Sequence, residues 1–128
     1  MINLFLDLDP SVKRRPRFKR VGAHVKTYSD PKDVAFKKDV VRLAVPQIEY
    51  PLSGPLRCEI VFFLKRPKTV TRKYPTSRNT GDVDNLAKAV LDALNIHAFD
   101  DDSQIISLTA SKYYREVSGI EVKIYSLN

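Results

Sequence analysis

Tryptophan is absent from the 128 residues, and cysteine and methionine occur once each. A lone Cys58 excludes an internal disulfide. With only two histidines, the chain also has no Cys/His pattern for zinc. Cysteine this sparse fits a reducing, cytoplasmic setting. No apolar run approaches the roughly 20 residues of a membrane span. The opening Met1–Asp9 has no basic start, and Asp7 interrupts its apolar run, so it makes a poor signal peptide. No internal repeat or low-complexity tract is present, and the length suits one domain over residues 1–128.

Acidic residues are missing from two places. Between Asp9 and Asp30 lie Lys13, Arg14, Arg15, Arg17, Lys19, Arg20 and Lys26. Between Glu59 and Asp82 lie Lys65, Arg66, Lys68, Arg72, Lys73 and Arg78. These stretches hold 13 of the 22 basic residues of a chain with net charge +7. Charge of one sign at this density attracts a polyanion, and each neutralised phosphate releases a counterion. A solvated surface is the ordinary alternative. The two blocks flank an acidic cluster, and that arrangement favours nucleic acid.

Alternation of Ile2, Leu4, Leu6 and Leu8 predicts a half-buried strand. Arg17–Val21 and His24–Tyr28 flank Gly22-Ala23 and fit a hairpin. Ser29-Asp30-Pro31 opens a helix to about Ala44, which must end near Pro46. Leu56–Lys65 reads as a strand with Cys58 facing the core. Residues 66–81 show no periodicity and read as a mobile, basic, substrate-contacting loop. Residues 84–95 form a second helix. Gln104–Tyr114 and Ile120–Leu127 read as strands. The expected class is α+β, a small mixed sheet with two main helices on one face. The strands on either side of the second helix are candidates for parallel neighbours.

That helix carries the chemistry. Asp84, Asn85, Lys88, Asp92 and Asn95 fall within one arc of about 100°, and apolar residues cover the rest. Asp82 and Asp84 converge only if Asp82 lies in the cap or the preceding loop. Should Asp102 fold back beside that mouth, three carboxylates meet. Carboxylates so close need a cation among them. Hard oxygens with few protein contacts suit Mg²⁺, with Mn²⁺ as a substitute, and such ions assist phosphodiester hydrolysis. Lys88 would add positive charge near the developing negative charge. Ordinary capping by acids at a helix start is the competing account. An EF-hand is excluded by ligand order and the missing glycine. His24 and His97 read as surface and loop residues.

Gly81-Asp-Val-Asp-Asn-Leu-Ala-Lys-Ala-Val-Leu-Asp-Ala-Leu-Asn95, followed by Phe99-Asp-Asp-Asp-Ser-Gln-Ile105, resembles the signature of RusA-type Holliday junction resolvases. Lys13-Arg-Arg-Pro-Arg-Phe18, with Thr27-Tyr-Ser before the proline-started helix, is similar to the family's N-terminal region. The resemblance implies a homodimeric, Mg²⁺-dependent endodeoxyribonuclease that makes paired nicks in four-way junctions during recombination and repair. It also implies Asp82, Asp84, Lys88 and Asp102 as catalytic residues, the three acids as metal ligands. Three acids stand where the pattern needs two. Alignment on Ser103-Gln104 selects Asp102 as the ligand, with Asp101 as the alternative. Lys13, Arg14, Arg15, Arg17, Lys19, Arg20, Arg72, Lys73 and Arg78 are the expected DNA contacts. The rival readings are a fork or flap nuclease and a non-enzymatic nucleic-acid-binding module.

Overall fold

The described residues form six strands and two α-helices, in the order β1 (Ile2–Leu6), β2 (Arg17–Val21), β3 (His24–Tyr28), α1 (Pro31–Ala44), β4 (Leu56–Lys65), α2 (Val83–Leu94), β5 (Ile105–Arg115) and β6 (Gly119–Ser126). The computed structural model describes residues 1–10, 17–21, 24–28 and 31–128, with the backbone alone for 17–21, 24–28 and Lys32. The expected helix cap at Ser29-Asp30, the turn at Gly22-Ala23 and the basic residues Lys13, Arg14 and Arg15 lie outside the described residues. So do the side chains of Arg17, Lys19, Arg20 and His24.

Four strands form one sheet in the order β1-β6-β4-β5, and β2 pairs with β3 separately as an antiparallel hairpin. Within the sheet β1/β6 and β6/β4 are antiparallel, while β4/β5 is parallel. Register explains the single core. Ile2, Leu4 and Leu6 face Ile124, Val122 and Ile120, which in turn face Cys58, Ile60 and Phe62. Period-two alternation puts all of these on one side. They join buried Phe36, Val40 and Ala44 of α1 and Leu86, Val90 and Leu94 of α2 in one cluster. Both helices therefore cover the same face, as expected.

β1 ends where a local bond stops it. Leu8 donates its amide proton to the Leu6 carbonyl, so β1 is two residues shorter than its alternation predicts. Gln47 protects its outer edge. Its side-chain amide accepts from Phe5 N at 3.1 Å and donates to Phe5 O at 2.9 Å, which satisfies edge groups that otherwise invite a foreign strand.

Parallel neighbours need a crossover, and α2 supplies it between β4 and β5. Its direction matters. The Lys112 ammonium near the end of β5 bonds to the Gly81 carbonyl just before α2. After α2, the Ala98 carbonyl accepts from Leu52 N at 2.8 Å, just before β4. The helix thus starts beside the C-terminal ends of β4 and β5 and runs back to their beginnings.

Candidate active site

The mouth of α2 is built by a glycine and an uncommitted aspartate. Gly81 has φ 83° and ψ 157°, a region essentially closed to residues with a Cβ. It turns the chain so that Asp82, at φ −79° and ψ 136°, occupies the N-cap position without helical geometry. Asp82 thus stands outside the helix, as convergence with Asp84 requires. Its carboxylate makes no capping bond. The ordinary structural use of an N-cap aspartate is therefore not being exercised here. Asp84, in the first turn, and Lys88, one turn on, are also exposed. Asp84 and Lys88 face solvent, Asn85, Asp92 and Asn95 are half-buried, and Leu86, Ala87, Ala89, Val90, Leu91, Ala93 and Leu94 are buried.

The acidic triplet is organised differently. Asp101 caps a 3₁₀ turn over Asp102–Gln104. Its side chain accepts from Ser103 N at 3.2 Å, and the Gln104 side chain accepts from Asp101 N at 2.9 Å. Hydrogen bonds from the Ser103 side chain and backbone hold the Asp101 carboxyl below its ordinary pKa of 3.8. Asp102 is exposed and has no part in this box. The structure thus gives Asp101 a local structural task and leaves Asp102 free for another.

Within one chain Asp102 does not join Asp82 and Asp84. The 12 residues of α2 put its ends about 18 Å apart at 1.5 Å per residue. Asp102 follows the far end, ahead of the first residue of β5. Accordingly, no three His, Cys, Asp or Glu side chains gather to hold an ion among the described residues. Asp82 and Asp84 do fit a hard cation in kind: two exposed carboxylates, uncapped, leaving coordination positions for water and phosphate oxygens.

The basic segment before the site has more order than its composition suggests. The Arg66 guanidinium donates to the backbone carbonyls of Arg72 and Lys73 and stacks over Tyr114 at 4.6 Å. Thr80, buried, donates its hydroxyl proton toward Ser77 O at 2.7 Å or Pro75 O at 3.0 Å. Arg66 is thus a fastener, whereas Arg72, Lys73 and Arg78 present exposed cations. Tyr74 meets Tyr113 of β5 at 6.4 Å between ring centres.

Lys112 was not signalled by the helix pattern. Its alternation on β5 places it opposite Phe62, on the helix-covered side, among otherwise apolar positions. A lysine at an inward strand position is the sequence signal that marks it. Cys58 is fully buried, its thiol pushed up to about 12 by burial and by neighbouring Glu59. It is an inert core residue, as expected.

Comparison with known proteins places the chain in a family. The chain is 31% identical over 132 residues to the uncharacterized protein YqaN of Bacillus subtilis (strain 168), covering 91% of this chain and 89% of that one. The family model for endodeoxyribonuclease RusA matches residues 7–125, spanning the hairpin, both helices and the sheet apart from β1 and the last residue of β6. RusA family nucleases are metal-dependent, and the family implies a branched DNA substrate. This chain, with its free aspartates at the mouth of α2, belongs to the RusA endodeoxyribonuclease family.

Proposed function

We propose that the protein resolves four-way DNA junctions by paired, symmetric nicks, with Asp82, Asp84, Lys88 and Asp102 as its catalytic residues. One observation carries the reading: Asp82 occupies an N-cap position yet makes no cap bond, and it stands beside exposed Asp84 with Lys88 one turn on. A carboxylate pair left without structural employment at a helix mouth is suited to a ligand. Asp82, Asp84 and Asp102 would hold Mg²⁺, which when bound polarises the scissile phosphate and activates water. Lys88 would place its ammonium against the charge that grows on the phosphate oxygens. Arg72, Lys73 and Arg78 of the preceding segment, with Lys13, Arg14, Arg15, Arg17, Lys19 and Arg20, would contact the DNA backbone.

A homodimer reconciles this set with the distance between Asp102 and the α2 mouth. β5 is an edge strand, and Ile106 and Leu108 near its start are exposed. A two-fold mate running antiparallel along it would bring Asp102 of the partner subunit to the end where Asp82 and Asp84 stand. Two such composite sites match the near two-fold symmetry of a junction.

Two experiments test this. Cleavage of a synthetic four-way junction should require Mg²⁺ and vanish in Asp82→Asn while junction binding persists. Binding lost together with cutting would count against the assignment. Mixing Asp82→Asn with Asp102→Asn subunits should then restore nicking. Hybrid dimers regain one intact site if the ligands come from two subunits, and none if they come from one.

A further inference from the structure

We infer that Lys112 is a positioning residue for the proposed metal-binding aspartates, a role that rests on the nuclease reading above. Its Nζ donates to the Gly81 carbonyl at 2.5 Å and to Thr80 Oγ1 at 3.2 Å. An ammonium offers three donors, and these contacts use two of them. Both acceptors belong to the segment that delivers the chain to Asp82. Thr80 is itself tied back to Ser77 and Pro75 through its hydroxyl. The Gly81 carbonyl shares its peptide plane with the Asp82 amide, so gripping that oxygen fixes the orientation from which the Asp82 side chain leaves.

The setting favours a dedicated role. Lys112 stands on the helix-covered side of β5, half-buried, opposite buried Phe62. No carboxylate lies within ion-pair distance of it among the described residues. Its charge is therefore spent on two neutral oxygens at the edge of the acidic mouth. Gly81, held at a φ of 83°, is the joint that lets the chain reach this lysine and still turn into α2. The lysine links β5 to the loop, so the last strand of the crossover unit fixes the entrance of its own helix.

The test uses the full-length protein, with Mn²⁺ binding followed by the EPR signal of the free ion in the absence of DNA. Hydrogen exchange over residues 78–84 is followed in parallel. Lys112→Met keeps the stem and removes the donors. It should weaken Mn²⁺ binding by about tenfold or more, the cost typical of losing a group that orients a ligand. It should also speed exchange at Gly81 and Asp82 while leaving metal-free junction binding within about twofold of wild type, the range expected when no phosphate contact is lost. Lys112→Arg should recover part of the Mn²⁺ affinity. Thr80→Val leaves the charge intact and should shift affinity in the same direction by less, which guards against a Met variant that fails to fold. Equal or tighter Mn²⁺ binding in both Lys112→Met and Thr80→Val overturns the inference. So does a loss of metal-free junction affinity, which would make Lys112 a phosphate contact. A wild type that neither binds Mn²⁺ nor cuts junctions sinks the nuclease reading itself. A wild type that does both, matched by Lys112→Met, sinks only the role of Lys112.

Discussion

Gln104 holds the acidic turn in place through three hydrogen bonds, and its removal has a cost that can be worked out in advance. Its Nε2 donates to Leu52 O at 3.1 Å and Gly54 O at 3.0 Å, and its Oε1 accepts from Asp101 N at 2.9 Å. The two bonds to carbonyls are partly buried, while the third is exposed. At about 1 kcal/mol net for each shielded bond and less for the exposed one, Gln104→Ala should cost about 2 kcal/mol. For a domain of this size that is a fall in Tm of about 7 °C. Equilibrium urea unfolding followed by tyrosine fluorescence or far-UV circular dichroism reads it directly. Gln104→Glu separates bonding from volume. It keeps the acceptor for Asp101 N, loses both donors, and adds a negative charge beside three acids. It should therefore destabilise at least as much as alanine. A loss under about 0.5 kcal/mol for Gln104→Ala, or a neutral Gln104→Glu, would show that the turn is held by something else.

The same turn predicts a division between its acids. Asp101→Asn should lower stability slightly and spare cutting, whereas Asp102→Asn should abolish junction cleavage with an unchanged melting curve. Gly81→Ala forces a Cβ into a backbone region reserved for glycine. It should cost about 1–3 kcal/mol of stability and reduce cleavage through displaced Asp82, measured by melting and by nicking rate. Cys58 should resist a thiol reagent at pH 8 in the folded protein and react on unfolding. Its folded pKa of about 12 lies above the ordinary 9.0. The stability this contributes is therefore complete below pH 9.0 and lost progressively as pH rises toward 12, which alkaline unfolding curves would show.

Much of the fold could be read from periodicity because the residues that carry it report on their own surroundings. Ile2, Leu4 and Leu6 alternate because one side of β1 is buried. Leu86, Val90 and Leu94 recur at helical spacing because α2 lies against a sheet. Spacing alone set the condition that Asp82 must lie in the cap or the preceding loop to converge with Asp84, since residues two apart on a helix point in different directions. What spacing could not supply was relations across the chain. Asp102 follows α2 by only eight residues, yet the crossover carries it to the opposite end of the sheet from Asp82. The loop over 66–81 looked structureless because its order comes from side-chain bonds to backbone oxygens, made by Arg66 and Thr80, and these have no period. Lys112 was hidden for a related reason. Its significance lies in a contact 31 residues away rather than in its neighbours.

The strand order has a consequence for how the chain comes to be folded at all. β6 lies between β1 and β4, and Ile2 finds its partner only in Ile124. During synthesis the β4–α2–β5 unit can assemble while β1 still waits with its apolar side unmet. Contacts this distant in sequence slow folding and prolong the exposure of sticky surface. A nascent chain stalled before residue 119 would carry two unsatisfied strand edges, one on β1 and one on β4. Such a fragment should aggregate or engage chaperones, whereas a short extension beyond Asn128, placed after the strand has paired, should be tolerated.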